Sequence, residues 1–137
     1  MTYLLDTNAW IQLFSSSASI PQGVRQTLAA ESKLALAGIS MIEVCQKASV
    51  GKLTFRTDLP TWMAAATPIN WVEVLPISSE IAQQAYAQEI MHPKSGKPHK
   101  DPADLIIAAT AHVHGLTIVT SDEVLLAASA LRTLSTR

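Results

Sequence analysis

The sequence predicts an α/β fold: a central parallel sheet of about five strands with helices on both faces. Three observations carry that reading. Short apolar runs alternate with segments of helical periodicity along the 137 residues. The first run, Tyr3-Leu4-Leu5, stops at a carboxylate, Asp6, and a helical pattern follows at once. The strongest helical stretch, Asp101 to His114, has Pro102 at its first position and Gly115 at its end. Strands separated by helices need crossover connections, and these give a parallel sheet covered on both sides.

Taken in order, Tyr3 to Asp6 is the first strand, Ala9 to Phe14 a short helix, and Gln22 to Ser32 a second helix behind Pro21. Leu34 to Ile39 is a second buried strand, although alanine is a poor strand former. Ser40 is a plausible N-cap with Glu43 at the third helical position, a capping box that opens a helix over Met41 to Val50. Thr57 to Ala66 forms a helical arm bearing Trp62 and Met63. Trp71 to Pro76 is the third strand, and Ser78 or Ser79 caps a helix over Glu80 to Ile90. The stretch from His92 to Lys100 holds two prolines, a glycine and three lysines, so it is a loop. Asp101 caps the long helix. Thr117 to Thr120 is a strand ending in Ser121-Asp122, followed by a short helix from Glu123 to Ala130 and an edge strand over Arg132 to Ser135. With no repeat or linker, residues 1–137 read as one domain.

Composition narrows the function. Apolar residues make up 48% of the chain, enough for a real core. The single cysteine, Cys45, cannot form an internal disulfide, and the N-terminus lacks a secretory pattern, so the expected setting is a reducing cytoplasm. No apolar stretch is long enough to cross a bilayer. A net charge of −1 excludes the global basic field of a bulk nucleic-acid binder.

Four acids stand out by position. Asp6 ends the first strand, and Asp122 lies just past the late one. Glu43 and Asp104 fall in the first turns of helices, on the reading above. In a parallel sheet, strand C-termini and the helix N-termini that follow share one edge, where ligands bind. Clustered carboxylates repel one another unless a cation intervenes, and no lysine or arginine lies within these motifs. Oxygen donors without nitrogen or sulfur favour Mg²⁺ or Mn²⁺, and such an ion supports phosphodiester hydrolysis. Each acid also has a plainer reading. Asp6, Asp101 and Asp104 suit helix N-termini, Glu43 completes a capping box or pairs with Lys47 four residues on, and Asp122 closes a turn.

These motifs resemble a known family. Leu4-Leu5-Asp6-Thr7-Asn8, Ile39-Ser40-x-x-Glu43, the run from Asp101-Pro102-x-Asp104 to Ala111, and Val119-Thr120-Ser121-Asp122 look like the four acidic motifs of PIN-domain nucleases, in order and over essentially the whole chain. The nearest subgroup is the VapC-type toxins of type II toxin–antitoxin systems. The resemblance implies a PIN-like α/β/α sandwich with Asp6, Glu43, Asp104 and Asp122 around a Mg²⁺ or Mn²⁺ site. It implies that Asn8 and Thr120 support those carboxylates by hydrogen bonds, with Asp101 nearby. The substrate implied is RNA, cut endonucleolytically. The implied partners are a cognate antitoxin that wraps the helical arm and a second copy in a homodimer. Leu105 is a departure, since relatives often carry arginine after the third acid; a dimer or backbone contact made by that arginine is therefore not expected.

Other residues read as support. Trp62 and Met63 are the best candidates for antitoxin contact. Lys94, Lys97 and Lys100 either steer an RNA backbone or form a solvated loop. His92, His99, His112 and His114 show no zinc pattern and read as structural or solvent-facing. The competing function is a catalytically silent module of the same fold that binds nucleic acid or antitoxin.

Overall fold

The computed structural model describes all 137 residues. Its sheet holds β1 (Tyr3–Leu5), β2 (Leu34–Ala37), β3 (Val72–Leu75), β4 (Thr117–Thr120) and β5 (Thr133–Ser135). The order across the sheet is β3-β2-β1-β4-β5, and every pairing is parallel. The helices are α1 (Thr7–Ser15), α2 (Gln22–Ala29), α3 (Ile39–Ser49), α4 (Leu59–Ala65), α5 (Ser79–Ala87), α6 (Pro102–His114) and α7 (Glu123–Ala127). This is the predicted α/β/α sandwich with its strands and helices in the expected order, and a short 3₁₀ turn, Ser17–Ser19, lies between α1 and α2.

The chain runs outward from β1 through β2 to β3, then returns to the other side of β1 for β4 and β5. The direction of growth therefore reverses between β1 and β4. At such a reversal the two loops at the strand ends lead apart and open a crevice. Asp6 directly follows β1 and Asp122 lies two residues past the end of β4, the two strands that flank it.

Strand side chains alternate between two cores. Leu5, Leu34, Leu36 and Val119 face a core with Trp10, Leu28, Val44 and Trp62 from α1 to α4. Leu4, Ala35, Ala37 and Ile118 face the other, with residues of α5, α6 and α7. The split explains why an alanine-bearing segment forms a central strand. Ala35 and Ala37 lie beneath an α6 face made of Ala108, Ala109 and Ala111. Small groups on both surfaces bring α6 close to the sheet, and α6 carries Asp104. Leu105 is buried in this core.

One boundary differs from the expected one in a way that bears on the site. Helix α3 starts at Ile39, with Gly38 already in the right-handed helical region and no side-chain cap. Ser40 is therefore inside the helix and fully buried, and no capping box with Glu43 forms. Glu43 lies in the second turn instead of the first. The physical cause is a tertiary partner: the Ser40 hydroxyl is 2.9 Å from that of Thr7. Cys45, the single cysteine, is exposed.

Ala35→Leu tests the close approach of α6. Forcing an isobutyl group beneath the alanine face is expected to cost about 1–3 kcal/mol, measured as a lowered urea midpoint. An unchanged midpoint would mean that α6 is not held by small-residue packing.

Candidate active site

Asp6 occupies the N-cap of α1, directly after the central strand, and is 5% exposed. Its Oδ1 accepts from the Ala9 backbone N–H at 2.7 Å, and its Oδ2 from the Thr120 hydroxyl at 2.5 Å. Thr120 in turn accepts from the Asp122 backbone N–H at 2.9 Å. One hydroxyl thus ties the end of β1 to the end of β4. The capping role and the site role of Asp6 coincide in one carboxylate.

The other acids are each held by a separate device. Asp122 is the N-cap of α7, and its Oδ1 accepts from Val124 and Leu125 N–H at 2.9 and 3.1 Å. Asp104 stands in the first turn of α6, whose N-cap is Asp101. Asp104 Oδ2 lies 2.7 Å from His99 Nε2. Glu43 is hydrogen-bonded by the Thr7 hydroxyl. A carboxylate only accepts, so Thr7 donates to Glu43 and receives the proton of Ser40.

These side chains meet at a small cavity of about 40 Å³ lined by Asp6, Thr7, Asn8, Glu43, Lys47, Asp104 and Asp122. No apolar residue lines it. The four acids come from four elements that are far apart in sequence. No three of the histidine, cysteine and acidic side chains are yet close enough to enclose one ion. The donor set nevertheless suits a hard divalent cation. Mg²⁺ is commonly held by one or two carboxylates with water completing its octahedron, so it needs no closed protein cage.

The electrostatics show the effect of crowding. Burial pushes Asp6 from an ordinary 3.8 up to about 6, the hydrogen bonds from Thr120 and Ala9 oppose this, and the charges of Asp104 and Asp122 add to it. Asp104 is also raised, first by burial, with the His99 hydrogen bond opposing and Asp101 and Asp122 adding.

Several expected supporting roles fall elsewhere. Asn8 lines the cavity but is exposed, and the hydrogen bond to a carboxylate comes from its neighbour Thr7, which faces α3. Lys47, not one of the loop lysines, lines the acidic cavity. It makes no ion pair with Glu43; the ion pairs within 4 Å are Lys94–Glu123 at 3.7 Å and His99–Asp104. Lys94, Lys97 and Lys100 are exposed outside the cavity.

Trp62 is a core residue. It stacks on Phe55 with ring centroids 4.2 Å apart, packs at 4.9 Å against Trp10, and donates from Nε1 to Ser15 Oγ. It forms part of the wall of a groove of about 620 Å³ with Phe14, Phe55 and Arg56, while Met63 is half-buried. His99 is the residue that sequence reasoning missed. Its five-residue spacing from Asp104 is not a helix-face spacing, because the two lie in different local structures.

The raised Asp6 fixes a pH dependence for the metal-free protein. Its folded value lies above its unfolded one, so the native state binds the proton more tightly. The associated stability is fully present below about pH 4 and is lost as the pH rises through about 6. The difference corresponds to about 3 kcal/mol, and Asp104 acts in the same sense. In EDTA, wild type is expected to be less stable at pH 7.5 than at pH 5, while Asp6→Asn loses most of that slope. Equal slopes in urea titrations would show that Asp6 carries no such strain.

Comparison with known proteins adds the family. A search of curated protein sequences found no significant match. Among solved structures, the fold is similar to a DNA-bound VapBC from Salmonella typhimurium (TM-score 0.70, 19% identity, 100% of this chain and 99% of that one). It is also similar to VapBC2 from Rickettsia felis bound to a promoter DNA fragment (TM-score 0.71, 17% identity, all of both chains). A third similar structure is a toxin–antitoxin complex from Klebsiella pneumoniae (TM-score 0.64, 24% identity, 99% and 98%). At these identities the likeness concerns the fold. The PIN domain profile matches residues 3–131, a span that contains all four acids, and the chain belongs to the PIN domain family.

Proposed function

We propose that this protein is a metal-dependent endoribonuclease, the VapC-type toxin of a type II toxin–antitoxin pair. The observation that carries the reading is the convergence of Asp6, Glu43, Asp104 and Asp122 on one wholly polar cavity at the sheet's switch point. The fold shared with VapBC complexes supports the toxin assignment.

Mg²⁺ or Mn²⁺ bound there would neutralise charge at a phosphodiester and make a water acidic enough to attack it. Asp6 and Asp104 are the principal ligands in this reading, with Asp122 and Glu43 completing the acidic wall. Thr120 and Thr7 orient Asp6 and Glu43 through their hydroxyls. Lys47, one helical turn beyond Glu43, supplies a cation for a substrate phosphate at the rim. The lysines of the 92–100 loop extend that positive rim toward the RNA backbone. A cognate antitoxin would occupy the groove beside Phe55, Arg56 and Trp62. A homodimer and a cytoplasmic setting complete the reading.

The alternative, a catalytically silent module that binds antitoxin or nucleic acid, has one observation in its favour. The acids do not already stand at spacings that enclose an ion. Activity decides between the two. Purified protein, freed of any co-purifying partner, is incubated with structured RNAs in Mg²⁺, Mn²⁺ or EDTA. Cleavage is expected only with metal, and Asp6→Asn and Asp104→Asn are each expected to lower the rate by roughly a hundredfold or more, with folding intact by circular dichroism. Cleavage that persists in EDTA or in both variants would contradict the assignment. Failure to cleave, with no metal binding by calorimetry, would favour the silent module.

A further inference from the structure

The chemistry above uses none of the four histidines, and two of them, His92 and His99, are joined in one network. The segment from Ile90 to Lys100 doubles back on itself. Met91 bridges Pro98 in antiparallel fashion, His92 N–H donates to Lys97 O at 2.9 Å, and His99 N–H donates to Ile90 O at 2.7 Å. Gly96 closes the turn with φ +67°, a left-handed conformation that suits glycine. These backbone bonds set the two imidazoles edge to face, 4.8 Å apart between centroids.

The rings then form a directed chain. His99 Nε2 lies 2.7 Å from Asp104 Oδ2, and His99 Nδ1 lies 3.1 Å from His92 Nε2. An ionised carboxylate only accepts, so His99 donates from Nε2. A neutral ring then has a lone pair on Nδ1, which takes the Nε2 proton of His92. The His99 side chain is 10% exposed, so little water competes for the bond. Asp104 would otherwise be a carboxylate in the first turn of a helix, free to rotate toward solvent or toward the orphan N–H groups of that turn.

We propose that His99, itself oriented by His92, is a positioning residue for Asp104. It fixes the carboxylate at Oδ2, leaving the remaining lone pairs to a divalent cation in the cavity that Asp104 lines. Partners that orient a ligating carboxylate contribute to metal affinity without touching the metal. This inference rests on the metal-nuclease reading of the same cavity.

The test is calorimetric titration of Mn²⁺ into the full chain, with RNA cleavage kinetics alongside. His99→Leu is expected to weaken Mn²⁺ binding by about 10- to 100-fold and to lower kcat with KM for RNA little changed. His99→Gln, which keeps a donor, is expected to recover much of the affinity. His92→Phe, which keeps a packed ring but removes the second bond, is expected to fall in between. Urea midpoints identify any variant that loses its fold. A merely structural staple would lower the midpoint and leave the Mn²⁺ affinity of the folded protein alone. Wild-type affinity in folded His99→Leu or in His92→Phe, with wild type binding Mn²⁺ and cutting RNA, would overturn the positioning role only. Absence of Mn²⁺ binding in wild type would overturn the nuclease reading and this inference together.

Discussion

The interaction on which the rest depends is the burial of one carboxylate at the end of the central strand. Asp6 is nearly inaccessible, yet it lies beside two other acids. An unpaired buried charge is costly, so the surroundings must compensate. They do so through a backbone N–H from α1 and a hydroxyl from β4, which join the first element of the chain to one more than a hundred residues later. The compensation is incomplete, which is why burial still raises the proton affinity of Asp6. The remaining deficit is what a divalent cation is suited to fill.

The same logic extends to the other acids. Each is tied down by its own partner: Asp122 by the N-terminal amides of α7, Glu43 by Thr7, Asp104 by His99. The partners come from strand ends, helix starts and one doubled-back loop. Small residues beneath α6 bring its N-terminus to the sheet edge, which links an otherwise unremarkable alanine pattern to the position of Asp104.

Much of this was legible in the sequence. Strand and helix periodicity gave the order of elements, and the Asp101-Pro102 and Gly115 signals bounded α6, because those features act through local backbone chemistry. The shared edge of the acids followed from parallel topology. What could not be read was side-chain partnership across the fold. Ser40 and Glu43 satisfied the spacing of a capping box, but Thr7 from a distant helix claimed both. Thr7 rather than Asn8 faces α3, a matter of helix rotation that a two-residue motif does not reveal. His99 reaches Asp104 only because backbone bonds fold its loop back on itself. Lys47 lines the cavity, although its spacing from Glu43 suggested an ordinary solvated pair.

The central claim is that the four acids hold one catalytic metal site. It is tested most directly by anomalous diffraction from crystals of the protein soaked in Mn²⁺. The account requires an anomalous peak within the cavity lined by Asp6, Glu43, Asp104 and Asp122, in coordination distance of Asp6 or Asp104. Mn²⁺ bound only elsewhere, or an empty cavity at saturating Mn²⁺, would contradict it.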